Sequence, residues 1–381
     1  MNMGNVTHET AGGPVKVCHI VTSLKTGGLE RMVCDLVGGL KAQGVPSVVF
    51  CTDEKGQLYD GVPAEAKAVG RRKSGFFVID WRLVLEIRRF VRANHVSVLH
   101  AHNPSPHLYG VLVSFLTGLP VVSTTHGQGY QEKWRVRLLR RLLSAKSRAV
   151  VLVSEDTKRA AVADGALSAG QATIIPNGID TSVFAPLPGA SGGARARMGI
   201  PADAVVIGSV GRLSPEKNYP LLVRAFARVA ERLNLFLVLV GDGLDRARIE
   251  AEIDRLNVKD RCRITGMQME VLPRLRAMDV FCLSSDTEGL SISLLEAGAC
   301  GLPCVVTDVG GNAEIVADGL SGCVVPQGGE SALAAALERL AADTDLRRKM
   351  GLEARKTVER RYSLTAMVDG YKRLYVSACR R

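Results

Sequence analysis

Short runs that are predominantly apolar on both faces alternate along this chain with longer segments whose apolar residues recur every three or four positions. The first pattern suits a strand buried on both faces, the second a helix with one buried face. In regular alternation they predict a parallel sheet covered by helices on both sides. Residues 15–23, 47–52, 96–102, 120–125, 149–154 and 173–176 read as strands, with helices at 30–43, 81–93, 106–117 and 134–144. Between 184 and 200 the periodicity stops and Pro, Gly, Ala and Ser dominate, which is the composition of a linker. A second series then begins, with strands at 205–210, 235–240, 263–265, 280–283 and 304–307 and helices at 221–233 and 244–256. At 381 residues the chain can bury two cores. The fold class is therefore α/β, with two Rossmann-like, doubly wound domains at 15–183 and 201–362. A polar N-terminus, 1–14, precedes them, and an amphipathic helix within 363–381 (Met367, Tyr371, Leu374, Tyr375) closes the chain.

Ligands of such sheets bind beyond the carboxyl ends of the strands, where backbone amides and helix N-termini are available. Five stretches occupy such places. The segment 284–297, SSDTEGLSISLLEA, follows the strand at 280–283 and changes to helical spacing over 291–300. Glu288 sits on the loop, and Glu296 lies about a turn and a half into the helix on a face that looks back toward it. Ser291 is the expected N-cap, and the amides of Gly289, Leu290 and Ser291 lie at the positive end of the helix. Such amides take phosphate oxygens, and carboxylates accept from sugar hydroxyls. Gly27 and Gly28 follow the first strand, where the absence of a side chain lets backbone approach a ligand. Arg212 and Lys217, in GRLSPEKN, follow the strand at 205–210. His126 in TTHG ends the strand at 120–125, and Asn177 in PNGID follows the one at 173–176. Each stretch taken singly is also what a solvated turn looks like; Gly27-Gly28, His126, Arg212 with Lys217, and Glu288 with Glu296, in this order, are more specific together.

Glu288 and Glu296, with seven residues between them in TEGLSISLLEAGACGLP, resemble the E-x7-E signature of retaining glycosyltransferases of family 4. Arg212 and Lys217 are similar to that family's R-x4-K pair, Gly27-Gly28 to its N-terminal glycine loop, and His126 to its histidine beside the reacting sugar. Ser291 stands where Gly or Pro is frequent. The resemblance implies the GT-B architecture, with two domains facing each other across a cleft and the last helix returning to the N-terminal one. It implies transfer of a hexose-type sugar from a UDP- or GDP-sugar to a hydroxyl, with retention, without a cofactor or metal. Arg212 and Lys217 would then neutralise the diphosphate, Glu296 hold the ribose hydroxyls, and Glu288 the sugar near its 3-hydroxyl. The amides of Gly289, Leu290 and Ser291 would assist, and the turn at Gly266 and Met267 would meet the base. A departing diphosphate gains negative charge, so fixed cations stabilise the transition state more than the ground state. Each charge-assisted contact contributes about 1.5–3 kcal/mol. The family has no clear carboxylate nucleophile, which implies front-face displacement, with the leaving phosphate oxygen helping to take the acceptor's proton.

Composition narrows the alternatives. Hydrophobic residues make up 46% and charged ones 23%, as in soluble globular proteins. No apolar run approaches the roughly 20 residues that span a bilayer. The nine cysteines are scattered, mostly within strand-like runs, which predicts reduced thiols and a cytoplasmic protein. The net charge of +11 admits nucleic acid, anionic lipid or phosphorylated substrates. A nucleic-acid-binding module lacks zinc-ligand spacing or an RNP-like segment. A nucleotide-sugar epimerase of the same fold is the nearer rival, and the two paired motifs favour transfer. Lys133, Arg135, Arg137, Arg140, Arg141, Lys146 and Arg148 interleave with Trp134 and leucines over 131–148, and Arg71, Arg72 and Lys73 precede Phe76 and Phe77. Such a helix can rest on anionic headgroups at the inner face of the plasma membrane, next to a lipid-linked or anionic acceptor. Asp343-Thr344-Asp345 spells D-x-D but reads as a helix start, and His100, His102 and His107 read as packing or acceptor contacts rather than metal ligands.

Overall fold

The computed structural model describes residues 15–71, 79–127, 134–187 and 191–380. The chain forms two compact units, one of residues 1–177 with 364–381 and one of 178–363. In the first unit, β1 (Val17–Val21), α1 (Gly28–Ala42), β2 (Ser47–Cys51), β3 (Ala66–Val69), α2 (Trp81–Ala93) and β4 (Val98–His102) come first. They are followed by α3 (Pro104–Thr117), β5 (Val121–Thr125), α4 (Trp134–Lys146), β6 (Ala149–Leu152), α5 (Glu155–Ala163) and β7 (Ala172–Ile174). Their seven strands are all parallel in the order β3-β2-β1-β4-β5-β6-β7.

The second unit runs α6 (Ser191–Arg197), β8 (Val205–Val210), α7 (Tyr219–Ala230), β9 (Leu235–Val240), α8 (Arg246–Arg255), β10 (Cys262–Ile264) and α9 (Leu272–Leu275). It continues with β11 (Val280–Leu283), α10 (Ile292–Ala299), β12 (Cys304–Thr307), α11 (Asn312–Ile315), β13 (Gly322–Val325), α12 (Glu330–Ala342) and α13 (Thr344–Arg361). Its six parallel strands are ordered β10-β9-β8-β11-β12-β13. The central strands β8, β9 and β11 are buried almost throughout, as continuous apolar runs require.

The last helix, α14 (Leu364–Cys379), belongs to the first unit. It packs on α1, where a Cβ on Gly39 would come within 2.4 Å of Val368 Cγ2, and Gln43 Nε2 donates to Asp369 Oδ1 at 2.6 Å. Its Tyr371 and Tyr375 are 1% and 0% exposed and reach the buried polar groups of β4 and β5.

Four features depart from the sequence reading. β3 and β13 are edge strands of four residues that the sequence reading did not mark. α5 is a polar helix whose apolar face is small; its start is fixed by Ser154, whose Oγ accepts from Thr157 N at 3.1 Å. The stretch read as linker contains α6, anchored by Arg195, which pairs with Asp279 at 2.8 Å. Residues 1–14, 72–78 and 128–133, including Arg72, Lys73, Phe76, Phe77 and Lys133, lie outside the described residues.

Candidate active site

The strand order of the second unit reverses between β8 and β11, so the loops that follow these neighbouring strands diverge and leave room for a ligand. The loop after β8 carries Arg212 and Lys217; the loop after β11 carries Glu288. Backbone bonds fix the first loop against its neighbour: Gly211 N donates to Val240 O and Leu213 N to Asp242 O, both at 3.0 Å. Gly241, at φ +147°, permits this approach, because a Cβ there would lie 1.9 Å from Gly211 O. The chain then makes a 3-10 turn over Pro215–Lys217 and exits through Asn218 at φ 45°, a left-handed conformation that asparagine tolerates.

Side chains sew the two loops together. Ser284 Oγ donates to the carbonyls of Lys217 and Asn218, both at 3.0 Å. Asn218 Nδ2 donates to Asp286 Oδ1 at 3.1 Å, and Asp286 N to Glu216 O at 2.8 Å. Within this frame Lys217 Nζ donates to Glu288 Oε1 at 2.6 Å, and Ser285 Oγ donates to the same oxygen at 2.6 Å. Glu288 is only 9% exposed. Thr307 Oγ1 holds Ser285 O at 2.6 Å, and Gly311 N holds Gly289 O at 2.8 Å. Gly310, at φ +56°, lies so close beneath that a Cβ would fall 2.1 Å from Glu288 O. The sequence reading placed Asn218, Ser284, Ser285 and Asp286 within its candidate stretches without giving them a role, and it missed Thr307, Gly310 and Gly311. The paired glycines after β12 were the one visible signal.

Arg212 is exposed on the same loop as Lys217. Glu296 is buried in the second turn of α10, at 4% exposure. Ser291 stands at the N-cap of α10, but it does not cap: its Oγ pairs with Ser293 Oγ at 3.1 Å. Among the described residues the N–H groups of Gly289 and Ser291 donate to no other group, so the positive end of α10 is carried by backbone alone. Leu290 is buried between them. Gly266, at φ +72°, bridges Gly241, and Met267 beyond it is 61% exposed. Beside this turn an open cavity of about 620 Å³ is lined by Thr265, Gln268, Arg197, Arg263 and Arg274.

In the first unit the same reversal lies between β1 and β4. Gly27 is the extended N-cap of α1, at φ −170°, and Gly28 its first residue. Their loop is pinned by Leu58 N donating to Leu24 O at 2.8 Å and by Gly56, whose Cβ would meet Leu24 C at 2.1 Å. His126 follows β5, and its N–H donates to Asn103 Oδ1 at 3.3 Å. Its ring joins a buried cluster. His126 Nε2 is 3.2 Å from His102 Nδ1, and His102 Nε2 is 3.2 Å from His19 Nδ1. His100 Nε2 meets Thr124 Oγ1 and its Nδ1 meets Tyr375 Oη, both at 2.7 Å. His107 is separate, on Ser147 Oγ at 2.7 Å. Burial pushes His19 and His126 down to about 3 and His107 to about 4, and it holds His100 and His102 well below the ordinary range. These rings are neutral at pH 7.

Sequence reasoning missed His19, whose place opposite His100 in the β1–β4 register brings it in. Ring nitrogens of His19, His100 and His102 approach within 4.8 Å of one another, near enough to suggest a cation. The nitrogens are otherwise engaged: His102 uses both in its links to His19 and His126, His100 uses both on Thr124 and Tyr375, and among the described residues no carboxylate or thiolate joins them. The D-x-D stretch is a helix start: Asp343 Oδ1 accepts from Leu346 N at 2.8 Å.

Residues 194–357 match the sequence profile of the family Glycosyl transferases group 1, and residues 26–183 match that of Glycosyltransferase Family 4. A D-inositol 3-phosphate glycosyltransferase of Kribbella flavida is 31% identical over 301 residues, 72% of this chain and 69% of that protein. This chain belongs to the group 1 glycosyl transferases. The UDP-Gal:alpha-D-GlcNAc-diphosphoundecaprenol alpha-1,3-galactosyltransferase of Escherichia coli is 28% identical over 381 residues, 95% of this chain and 97% of that one. Among solved structures, Anabaena Alr3699/HepE in complex with UDP and glucose superposes with a TM-score of 0.84 at 21% identity, over 95% of this chain and 100% of that one. The fold of this glycosyltransferase is GT-B.

The glycosyltransferase also carries the basic helix read from sequence. Along α4, Trp134, Leu138 and Leu142 are 62%, 48% and 58% exposed, while Leu143 packs into the core and Leu139 against it. Arg135, Arg137 and Arg141 are exposed beside them. No helix among the described residues is long and apolar enough to cross a membrane.

Proposed function

We propose that this enzyme moves a hexose-type sugar from a UDP-sugar to a hydroxyl acceptor, with retention of anomeric configuration and without a metal. The observation that carries the reading is the Lys217–Glu288 pair at the β8/β11 switch point, beside the uncapped start of α10. Lys217 and Arg212 supply positive charge where a diphosphate leaves, and the amides at Gly289 and Ser291 supply further donors. Glu288 holds a sugar hydroxyl, Glu296 the ribose, and Gly266 and Met267 border the base. Gly27, Gly28 and His126 are donor-side residues in the same reading. His126 acts as a neutral ring rather than as a base, given its burial. In the transfer step the bond from the anomeric carbon to the phosphate oxygen breaks as the acceptor oxygen bonds to the same face of that carbon. The acceptor's proton passes to the departing diphosphate. UDP rather than GDP is supported by the relative named for UDP-Gal and by the structure solved with UDP and glucose.

The acceptor is lipid-linked, in the synthesis of a bacterial surface polysaccharide or glycolipid, at the cytoplasmic face of the membrane. The exposed Trp134, Leu138 and Leu142 among arginines support this, as does the diphosphoundecaprenol substrate named for the Escherichia coli relative. The test is incubation of the purified protein with UDP-sugars and polyprenyl-diphosphate-linked sugar in excess EDTA. UDP release with an α-linked product is expected. Loss of activity in EDTA or an inverted linkage overturns the reading, and conversion of UDP-sugar without acceptor would identify an epimerase instead.

A further inference from the structure

The histidine cluster of the first unit is more ordered than a packed core requires. His19 and His102 are 0% and 1% exposed, and the rings of His19, His102 and His126 stand in near-parallel succession, 19° and 20° between planes and 5.5 Å between neighbouring centroids. Two links of 3.2 Å join them, from His19 Nδ1 to His102 Nε2 and from His102 Nδ1 to His126 Nε2. An imidazole–imidazole hydrogen bond needs one N–H and one lone pair, and each neutral ring has one of each. The choice at one link therefore sets the other. The whole chain carries its protons either on every Nδ1 or on every Nε2.

The two ends decide between these states. Among the described residues His19 Nε2 is buried with no hydrogen-bond partner. An orphaned N–H in a core is rarer than an unsatisfied acceptor, so that atom is the lone pair. At the other end His126 Nδ1 makes no hydrogen bond of ordinary geometry among the described residues either, but the Asn177 side chain stands beside it, and an amide oxygen can accept from a ring N–H. Asn177 therefore offers an acceptor at the His126 end, which favours the state with a proton on every Nδ1. His100 is no part of the chain, because Thr124 Oγ1 and Tyr375 Oη occupy both of its nitrogens.

We propose that His19, His102 and His126 form one directional chain of neutral Nδ1–H imidazoles, and that His102 is a positioning residue that fixes the ring of His126 for glycosyl transfer. The second half rests on the reading of His126 given above. With Nε2 occupied by His102 and Nδ1–H turned toward Asn177, His126 presents a fixed ring face and no basic nitrogen. That assigns it a shaping role and leaves proton removal to the departing diphosphate.

The test uses the full chain labelled with nitrogen-15 histidine and two-bond nitrogen–proton correlation, which reads the tautomer of each ring without any need for activity. Signals are assigned by single substitution, and Nδ1–H is expected for all three rings. Two variants then separate the links. His102→Asn keeps a donor near the position of Nδ1 and breaks the link to His19, whereas His102→Gln keeps a group near the position of Nε2 and breaks the link to His126. Gln is expected to lower kcat by about 10-fold with donor KM unchanged, and Asn to recover most of that loss. An Nε2–H tautomer at His102 or His126, equal turnover of the two variants, or stoichiometric metal in the purified protein overturns the proposal. Wild-type turnover in His126→Ala would overturn the reading of His126 and the positioning role with it, while the tautomers would still decide the chain.

Discussion

Lys217 Nζ and Glu288 Oε1 are 2.6 Å apart, although they come from loops after different strands. The two groups have different proposed partners, the diphosphate for the lysine and a sugar hydroxyl for the glutamate. Their adjacency is the geometry that a sugar phosphate demands, since both partners flank the one anomeric bond. Lys217→Ala is expected to lower kcat about 10²–10³-fold, as for other groups that stabilise developing charge. The loops remain sewn by Ser284, Asn218 and Asp286, so far-ultraviolet circular dichroism should be unchanged. Glu288→Gln keeps an oxygen for Ser285 and loses the charge, and it should lower kcat by 10-fold or more, roughly the worth of one charge-assisted bond. Wild-type kinetics in either variant would remove the site from this switch point.

Gly310 gives an independent lever on the same loop. Its φ of +56° disfavours any side chain, and a Cβ would lie 2.1 Å from Glu288 O. Gly310→Ala should therefore destabilise the second unit by about 2 kcal/mol or more and displace Glu288, raising donor KM. Gly319 has a similar φ of +72° with nothing within 4 Å of the added atom. Gly319→Ala should cost only about 1 kcal/mol, the strain of the left-handed backbone, and leave KM unchanged. Equal effects on KM would mean that Gly310 acts through backbone strain alone.

The contrast between these loops and their strands shows what a sequence displays. β8, β9 and β11 are legible because strands buried on both faces are predominantly apolar runs, and α2 because its residues Leu83, Val84, Ile87 and Val91 repeat on one face. Arg212, Lys217, Glu288 and Glu296 were legible because their spacing resembles a known pattern, not because charge or periodicity singles them out. Ser285, Thr307 and Gly310 were not, since each acts on a residue far away in sequence or beneath it, and a small polar residue on a loop looks the same whether or not it holds a carboxylate. His19 was hidden for a related reason: it reads as one polar interruption of an apolar strand until the register sets it opposite His100. Ser291 reads as a cap from residue type alone, but its hydroxyl turns to Ser293.

The histidines make stability depend on acid in one unit only. All seven precede residue 127, so the second unit has none. His19 and His126 sit near 3 and His107 near 4 in the folded chain, against about 6.5 when unfolded. Between those values the unfolded state binds more protons, so stability is full above about pH 6.5 and falls as pH drops toward 4. Each such ring contributes a slope of up to about 1.4 kcal/mol per pH unit. Hydrogen exchange at pH 7 and pH 5 should show protection lost across β1, β4 and β5 while β8, β9 and β11 keep theirs. Equal loss in both units would mean that carboxylates, rather than the buried rings, set the acid limit.

The exposed stripe on α4 allows the membrane reading to be separated from catalysis. Trp134, Leu138 and Leu142 recur at four-residue spacing, all about half exposed or more, with arginines on either side. A helix face of this kind lies in the headgroup region, where apolar burial and attraction to anionic lipid act together, each basic residue adding about 1 kcal/mol. Trp134→Ala combined with Leu138→Ser should lower binding to phosphatidylglycerol vesicles by 10-fold or more, while neutral phosphatidylcholine vesicles bind weakly throughout. Because these side chains project from the core, melting temperature and donor KM should stay at their wild-type values. Raising salt should weaken the wild-type interaction, since the arginine contribution is screened over about 8 Å at physiological ionic strength. If the double variant binds anionic vesicles as tightly as wild type, the stripe is a solvated face and the proposed lipid-linked acceptor loses its support from α4.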